Sequence, residues 1–302
     1  MALEQDKFPN RKVFDCFLFN NEFDVLDIRL NELFNIVDKF IIVESAYTHT
    51  GLRKELHLKN NILKYNKFQS KIFLISDNNL PKRSNPIKLR KRQLNQINRG
   101  LKACLANPED LVFFSDCDEI PRAEVITNLK ENPQNCILEL DGYISYYNLY
   151  FEKWRRGRAI LYRDFVGILY LIRDYWIESN FYLRRFKWFP FMRLDPHFSA
   201  SMLDSFTGAY VGFRKKQSLP IIVNAGWHFT KMFSSEKVLE SINNSSHVNF
   251  NTEQISIDFI EEKKKEHRTF YGKDVKGNVV NLDSSFPQYL LNNKEKFQEF
   301  LL

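Results

Sequence analysis

Residues 111–122 have the sequence LVFFSDCDEIPR, in which an apolar run passes directly into a group of acidic residues. A short, continuous apolar run such as 111–114 is typical of a buried strand. Asp116 and Asp118 follow it immediately, and Pro121 indicates that a helix begins close by. We therefore predict an inner strand whose carboxyl end presents two carboxylates at the edge of a sheet.

The segments on both sides of this stretch alternate between strand and helix patterns. Apolar runs at 13–19, 40–43 and 72–75 predict three more strands, and apolar residues at helical spacing predict helices over 24–34 and 94–105. This alternation predicts an α/β fold with a mixed, mostly parallel central sheet and helices on both faces. Further along, the same patterns predict a strand at 221–224 and closing helices at 253–267 and 287–302.

The predicted strands end on side chains that are able to bind a ligand. Ligands of parallel sheets collect at the carboxyl ends of the strands. The polar residues at these ends are Asn20 and Glu22 after the first strand, Glu44 after the second, and Asp116 and Asp118 after the strand at 111–114. We expect these five residues to share one site.

The spacing of Asp116 and Asp118 would let both carboxylates face one divalent cation and a ribose. Mg²⁺ and Mn²⁺ prefer oxygen ligands and commonly bridge protein carboxylates to phosphates. The pattern is short and also arises by chance. A second interpretation therefore stays open, in which Asp118 or Glu119 caps the helix that begins near Pro121.

A basic stretch at 82–102 lies between the third and fourth predicted strands. Guanidinium groups close to a divalent ion would suit a diphosphate, whereas a solvated helix face is the alternative. The stretch contains no carboxylate, and its basic residues are Lys82, Arg83, Lys88, Arg90, Lys91, Arg92, Arg99 and Lys102.

Several common nucleotide and hydrolase motifs are missing from the chain. It has no G-x-x-x-x-G-K-[ST] and no G-x-G-x-x-G after the first strand, which argues against P-loop and dinucleotide-binding proteins. It also lacks the G-x-S-x-G turn of α/β-hydrolases. A nucleotide site without a glycine loop, close to a D-x-D pair, favours nucleotide-sugar chemistry.

The composition is that of a folded, mildly basic protein, with 44% apolar residues, 27% charged residues and a net charge of +7. Four scattered cysteines without a C-x-x-C pair predict isolated buried thiols rather than a zinc site or a disulfide framework. The sequence begins without an apolar leader and contains no run near the roughly 20 residues that cross a bilayer. These features predict a cytoplasmic protein.

Four blocks, in order, carry a family resemblance: FNNEFDVLDIRLNELFNIVDKFIIVES (19–45), FFSDCDEIPR (113–122), NAGWHFTKMFSSEKVLESINNSSH (224–247) and PQYLLNNKEKFQEFLL (287–302). Together they resemble glycosyltransferase family 17. The resemblance implies a GT-A type fold, a UDP-sugar donor with UDP-GlcNAc as the first candidate, an Mn²⁺ or Mg²⁺ ion, and inversion at the anomeric carbon.

The sequence has no internal repeat, long linker or low-complexity segment, which predicts a single glycosyltransferase domain over 1–302. Within it we expect a nucleotide-binding half at about 11–135, an acceptor half at about 136–250 with a basic-aromatic elaboration at about 153–193, and closing helices at about 251–302. The acceptor would be a glycan or a lipid-linked saccharide. The alternatives are another UDP-hexose donor on the same fold, or a non-catalytic protein that binds a membrane or a polyanion.

Roles for the strand-end residues follow from the same resemblance. Asp118 would be the direct metal ligand, and Asp116 would face the ribose or reach the ion through water. Asn20, Glu22 and Glu44 would meet the nucleoside. Arg92 would contact the diphosphate, while Arg29 is expected to pair with Glu22 or Asp27.

An inverting transfer requires a general base that takes the proton of the acceptor hydroxyl. In GT-A enzymes this base commonly lies at a helix start, which here corresponds to Glu236, with Asp141 as the competing candidate. A late histidine often completes the metal site in this fold, and both His228 and His247 fit that position.

Residues 153–193 combine ten Lys and Arg with three acidic and twelve aromatic residues. In one interpretation this stretch docks on anionic lipid at the inner face of a membrane, which would suit a lipid-linked acceptor. In the other, the aromatic side chains are core and only the basic groups are exposed. A nucleic-acid partner is not expected, because no recognition motif for one is present.

Overall fold

The structure is a computed structural model that describes residues 10–79, 86–165, 219–244, 255–270 and 273–302. Its centre is one mixed sheet, half of which is parallel. The parallel strands run in the order β3, β2, β1, β4, and their bounds are Val13–Phe19 (β1), Lys39–Ser45 (β2), Ile72–Asp77 (β3) and Leu111–Asp116 (β4). The helices that connect them are Phe23–Leu33 (α1), His57–Asn60 (α2) and Pro86–Ala103 (α3).

The other half of the sheet is mainly antiparallel. Its strands are Glu119–Pro121 (β5), Cys136–Ile144 (β6), Leu149–Trp154 (β7), Arg158–Leu161 (β8), Ile221–Thr230 (β9) and Asn278–Val279 (β10). Strand β8 joins the halves by pairing with both β4 and β6, while β9 runs parallel to β6 and antiparallel to β5. The remaining described helices are Ala123–Glu131 (α4), Ser235–Asn243 (α5), Ile257–Lys265 (α6) and Gln288–Asn292 (α7).

Successive side chains of the parallel strands point to opposite faces, and each face is covered by a different helix. On one face, Phe14 of β1 and Ile41 of β2 pack against Ile97 of α3. On the other face, Phe17 of β1 packs against Leu26 of α1. The prediction of an α/β sheet with helices on both faces is therefore confirmed for the parallel half.

Helix α3 lies unusually close to the sheet because residue 100 is glycine. A Cβ atom at Gly100 would lie 2.5 Å from Cγ2 of Ile41, which is closer than non-bonded carbon atoms approach. The absence of a side chain thus sets the height of α3 above β2.

The local sequence predictions agree with this architecture, although several elements differ in extent: the helix predicted at 94–105 covers Pro86–Ala103, and the strand predicted at 221–224 continues to Thr230. The helix expected at 253–267 is α6, which covers Ile257–Lys265, and the one expected at 287–302 ends at Asn292 and continues as a 3₁₀ helix over Lys294–Phe300. All four cysteines are free thiols, of which Cys16, Cys117 and Cys136 are buried as predicted, whereas Cys104 is half-buried. Among the described helices, none combines the length and the apolar character needed to cross a bilayer.

Candidate active site

The two predicted aspartates lie in a tight turn between β4 and β5. Because side chains alternate along β4, Ser115 points towards α1 and Asp116 points towards α3. Strand β5 then pairs with β9, and this register sets Glu119 opposite His228. The turn therefore meets a strand that comes more than a hundred residues later in the chain.

A buried arginine supports this turn from below. Arg29 of α1 is fully buried, and its guanidinium donates to the carbonyl oxygens of Asp116, Cys117 and Glu119 at 2.8, 3.1 and 2.9 Å. It also forms an ion pair with buried Asp15 of β1, at 2.6 Å between Nη2 and Oδ1. Three backbone oxygens of the turn are thus fixed by one side chain.

The expectation that Arg29 pairs with Glu22 or Asp27 was wrong, because residue 29 lies on the buried side of α1. Arg29 lies three residues after Leu26, on the buried side of α1, so its side chain points into the sheet rather than along the surface. That position within the apolar stripe was a usable signal in the sequence.

Glu119 braces the same turn from the opposite side. Its carboxylate is 2% exposed, accepts the backbone N–H of Asp116 at 3.1 Å and accepts the indole N–H of Trp154. Burial, and then the negative charge of Asp116, raise the pKa of Glu119 above its ordinary value. Glu119 therefore serves the fold of the turn.

The helix-capping alternative for the acidic pair was wrong. Helix α4 begins at Ala123, its N-cap residue is Arg122, and no side chain caps it. Asp118 and Glu119 lie before this helix start, in the turn and in β5, so their carboxylates are available for other contacts.

Asp118 and His228 form the centre of the candidate site. Oδ2 of Asp118 lies 3.4 Å from Nε2 of His228, and the hydroxyl of Thr230 also hydrogen-bonds to the Asp118 carboxylate. Burial acts to raise the pKa of Asp118, but His228 and then Lys231 outweigh it and lower that pKa. The imidazole of His228 stacks on Trp154 with ring centroids 4.5 Å apart, so its orientation is fixed by packing.

Two cations approach the acidic turn, and neither was singled out from the sequence. Arg90 of α3 contacts both carboxylate oxygens of Asp116, at 3.2 and 3.1 Å. Lys231, which follows β9 at a positive φ of 60°, interacts electrostatically with Asp118 and Glu22. Its Nζ donates to the hydroxyl of Ser241 at 2.6 Å, so its position is fixed by α5.

The predicted phosphate contact, Arg92, is turned away from Asp116. Its guanidinium pairs with Asp77 at the end of β3, with Nε and Oδ2 3.2 Å apart. Arg90 lies seven residues before buried Ile97 and eleven before buried Leu101, so it continues the sheet-facing stripe of α3. The helical period could therefore have selected Arg90 over Arg92.

Of the residues expected at the nucleoside, Asn20 and Glu22 lie beside the acidic turn. Asn20 is exposed, and its backbone N–H donates to Oε2 of Glu22 at 2.6 Å. Burial raises the pKa of Glu22 to about 7, against the hydrogen bond from Asn20, and the charge of Asp118 adds to the rise.

Glu44, which the sequence analysis expects at the nucleoside, has a structural role in the fold. It is fully buried, and its two oxygens accept the N–H groups of Leu58 and Lys59 at 2.8 and 3.0 Å, at the start of α2. Each oxygen already accepts one hydrogen bond within the protein, and the contact of Glu44 with the nucleoside stays a prediction.

The two candidate bases lie apart from each other. Asp141 pairs in register with Trp227, so it lies on the face of the sheet opposite to His228, where it contacts Lys153 and Arg122. Glu236 is exposed in the first turn of α5. Hydrogen bonds from its own backbone N–H and from the hydroxyl of Ser234 lower the pKa of its carboxyl group.

Two predictions lie partly or wholly outside the described residues. His247 is not among them, and the basic-aromatic stretch 153–193 is described only as far as Phe165. In that described part, Lys153 and Arg155 pair with Asp141 and Glu139, and these basic groups are engaged within the protein.

The residues present fit a hard divalent cation that also uses substrate oxygens. No group of three acidic, histidine or cysteine side chains surrounds a common point in the described part of the chain. Asp118 and His228 nevertheless offer one carboxylate and one imidazole, with the Asp116 carboxylate, 45% exposed, in the same turn. Ions such as Mg²⁺ rely on one or two carboxylates plus phosphate and water oxygens, so a partial protein set is sufficient.

The comparison with protein families agrees with the sequence resemblance. The model of glycosyltransferase family 17 matches residues 3–167, which is more than half of the chain and includes the acidic turn. A solved mannosyltransferase from Pyrobaculum calidifontis, in complex with GDP-Man and Mn²⁺, aligns at 13% identity and a TM-score of 0.29. That alignment covers 45% of this chain and 37% of the mannosyltransferase chain. No curated protein sequence matches the chain.

Proposed function

Because the chain belongs to glycosyltransferase family 17 and is therefore a glycosyltransferase, we propose that it transfers GlcNAc from UDP-GlcNAc to a glycan or lipid-linked saccharide. The proposal includes a GT-A type domain, dependence on Mn²⁺ or Mg²⁺, and inversion at the anomeric carbon. Within it, residues of about 11–135 bind the nucleotide and the following half binds the acceptor.

The observation that carries this proposal is the contact between Asp118 and His228. Their side chains come from a strand-end turn and a distant strand, and they lie 3.4 Å apart next to Asp116. A bound divalent cation would neutralise the charge that develops on the departing UDP. Asp118 and His228 would hold it, with His247 as the alternative imidazole ligand.

The neighbouring residues have distinct proposed roles. Asp116 would face the ribose or reach the ion through water, and Asn20 and Glu22 would line the nucleoside. Arg90 takes over from Arg92 the proposed contact with the diphosphate, since it already lies at 3.1 Å from the Asp116 carboxylate.

For the general base we retain Glu236 and set Asp141 aside. A base must reach the acceptor hydroxyl directly or through one water. Asp141 is held by Lys153 and Arg122 on the far face of the sheet, whereas Glu236 is exposed at the helix start that follows β9.

The first experiment is a thermal-shift and UDP-release panel of UDP-sugars, with GDP-mannose as comparator, in Mn²⁺ or in EDTA. At about 100 times Kd, a bound donor adds about 2.7 kcal/mol to the stability of the folded state. We expect one UDP-sugar to raise the melting temperature of the wild type only with metal, and Asp118→Asn to abolish this rise. Asp258→Asn, a change at an exposed position of α6, is the matched control.

Each outcome of the panel bears on a different part of the proposal. If UDP-glucose or UDP-galactose stabilises the protein and UDP-GlcNAc does not, the proposed donor sugar changes. The proposed roles of the site residues are not affected by that result. If no nucleotide sugar shifts the protein with any metal, the donor-site proposal fails. Liposome binding that is lost on charge reversal at Arg155 and Arg156 would then favour the non-catalytic alternative.

A further inference from the structure

Lys54 lies beside the carboxyl end of β2, in a short loop that folds back on that strand. Tyr47 and Arg53 form an antiparallel bridge across the loop, and the backbone N–H of Lys54 donates to the carbonyl of Ala46 at 2.8 Å. These contacts fix the backbone of Lys54 at the ligand-binding edge of the sheet.

The ammonium group of Lys54 is buried and has no hydrogen-bond partner within the described ranges. Its nearest acidic neighbours are Glu44 and Glu22, which act on it electrostatically. Both oxygens of Glu44 accept backbone N–H groups of α2, and Oε2 of Glu22 accepts the N–H of Asn20. Burial lowers the pKa of Lys54, although both glutamates oppose that shift.

A buried donor without an acceptor is unfavourable, and such groups are rare in folded proteins unless a ligand or water satisfies them. We propose that Lys54 is a specificity-determining residue of the donor site, whose ammonium donates to an uncharged oxygen of the nucleoside, either a base carbonyl or a ribose hydroxyl. This inference rests on the proposed function and adds to it a residue that binds the nucleoside selectively.

An uncharged oxygen suits this position better than a phosphate does. Glu44, and Glu22 when it is ionised, supply negative charge beside the ammonium, so a phosphate would be repelled by these carboxylates. Arg90 of α3 contacts Asp116 at the end of β4, and β4 lies two strands from β2 in the order β2, β1, β4, which is about 10 Å. A nucleoside diphosphate laid along this edge would reach Lys54 with one end and Arg90 with the other.

The test uses Lys54→Met, which keeps the length of the side chain and removes the ammonium. Without ligand, we expect the melting temperature to rise by about 2–4 °C, because an unsatisfied buried charge is lost. In calorimetric titrations with Mn²⁺, the variant should bind UDP at least about tenfold more weakly, whereas its affinity for inorganic pyrophosphate should not change. Lys64→Met, at an exposed lysine, is the matched control and should alter neither quantity.

Titration with 2′-deoxy-UDP distinguishes the two proposed acceptors of the Lys54 ammonium, the ribose and the base. If Lys54→Met no longer weakens binding of this probe, the acceptor is the ribose 2′-hydroxyl, and if the loss of affinity persists, the acceptor is a base carbonyl or the 3′-hydroxyl.

Three outcomes would overturn the inference. A drop in melting temperature for Lys54→Met would mean that the ammonium is satisfied within the protein. Unchanged affinity for UDP would mean that it does not meet the nucleoside, and an equal loss for pyrophosphate would assign it to the phosphates. A wild type that binds neither UDP nor pyrophosphate would overturn the proposed function as well, which the other outcomes leave intact.

Discussion

At the scale of single residues, Arg29 is the side chain on which the acidic turn depends most. It is fully buried, pairs with Asp15 and donates to three carbonyl oxygens of the turn. Buried pairs contribute little as pairs, but removing one partner leaves an uncompensated charge in the core.

Arg29→Met should therefore lower the free energy of unfolding by about 3–5 kcal/mol, because Asp15 remains buried without its partner. Urea denaturation followed by circular dichroism measures this directly. Arg268→Met, which breaks an exposed pair with Asp274, is the control and should leave the midpoint unchanged. A loss below about 1 kcal/mol for Arg29→Met would show that the turn does not need this anchor.

Glu22 gives the protein a pH dependence in metal-free buffer. The pKa of Glu22 is raised from 4.5 to about 7 in the folded state, chiefly by burial, so folding favours the protonated carboxyl. The stability from this group is complete below about pH 4.5 and is lost as the pH rises through about 7.

Glu22→Gln should thus be more stable than the wild type at pH 8, by on the order of 2 kcal/mol, and the difference should vanish near pH 4. Thermal melts in EDTA across this range measure the effect. A difference that does not vary with pH would mean that Glu22 ionises normally in the folded protein.

At the scale of elements, the pairing of β5 with β9 is what brings His228 to Asp118. The two strands approach closely at Gly226, where a Cβ atom would lie 2.1 Å from the carbonyl oxygen of Ile120. No rotamer change relieves a clash between a Cβ atom and a backbone oxygen, so one strand must move.

Gly226→Ala should destabilise the protein by about 3 kcal/mol and weaken Mn²⁺ binding, because β9 shifts away from the turn. Melting curves and Mn²⁺ titration by electron paramagnetic resonance measure the two effects. Gly157→Ala is the control, since a Cβ atom there would lie at an ordinary 3.5 Å from Cβ of Leu138. If the folded Gly226→Ala protein binds Mn²⁺ as tightly as the wild type, the position of β9 does not matter for metal binding.

At the scale of the whole molecule, the parallel half of the sheet could be predicted from the sequence, whereas the strand pairing of the other half could not. Strands β1 to β4 are continuous apolar runs separated by helical patterns, so local periodicity is sufficient to find them. The pairing of β6 with β9 joins segments that are far apart in the chain, and no local pattern specifies such a partner.

The candidate site divides in the same way. Asp116 and Asp118 were found because they directly follow an apolar run, and His228 was found only as one of two histidines. Trp154 and Lys231 were missed, because their part in the site depends on the stacking of Trp154 on His228 and on the charge of Lys231 near Asp118. Such contacts join residues that are far apart in the chain, so no periodic pattern in the sequence indicates them.

The anchoring of the turn by Arg29 has a consequence for protein engineering. Arg29 donates to backbone oxygens of the turn, and these hydrogen bonds do not depend on which side chains stand at positions 116 and 118. The contact that Arg29 makes with the backbone of the turn is thus separate from the side chains that the turn presents to a ligand. Positions 116 and 118 could be varied in a library to change the preferred ion while the loop keeps its course.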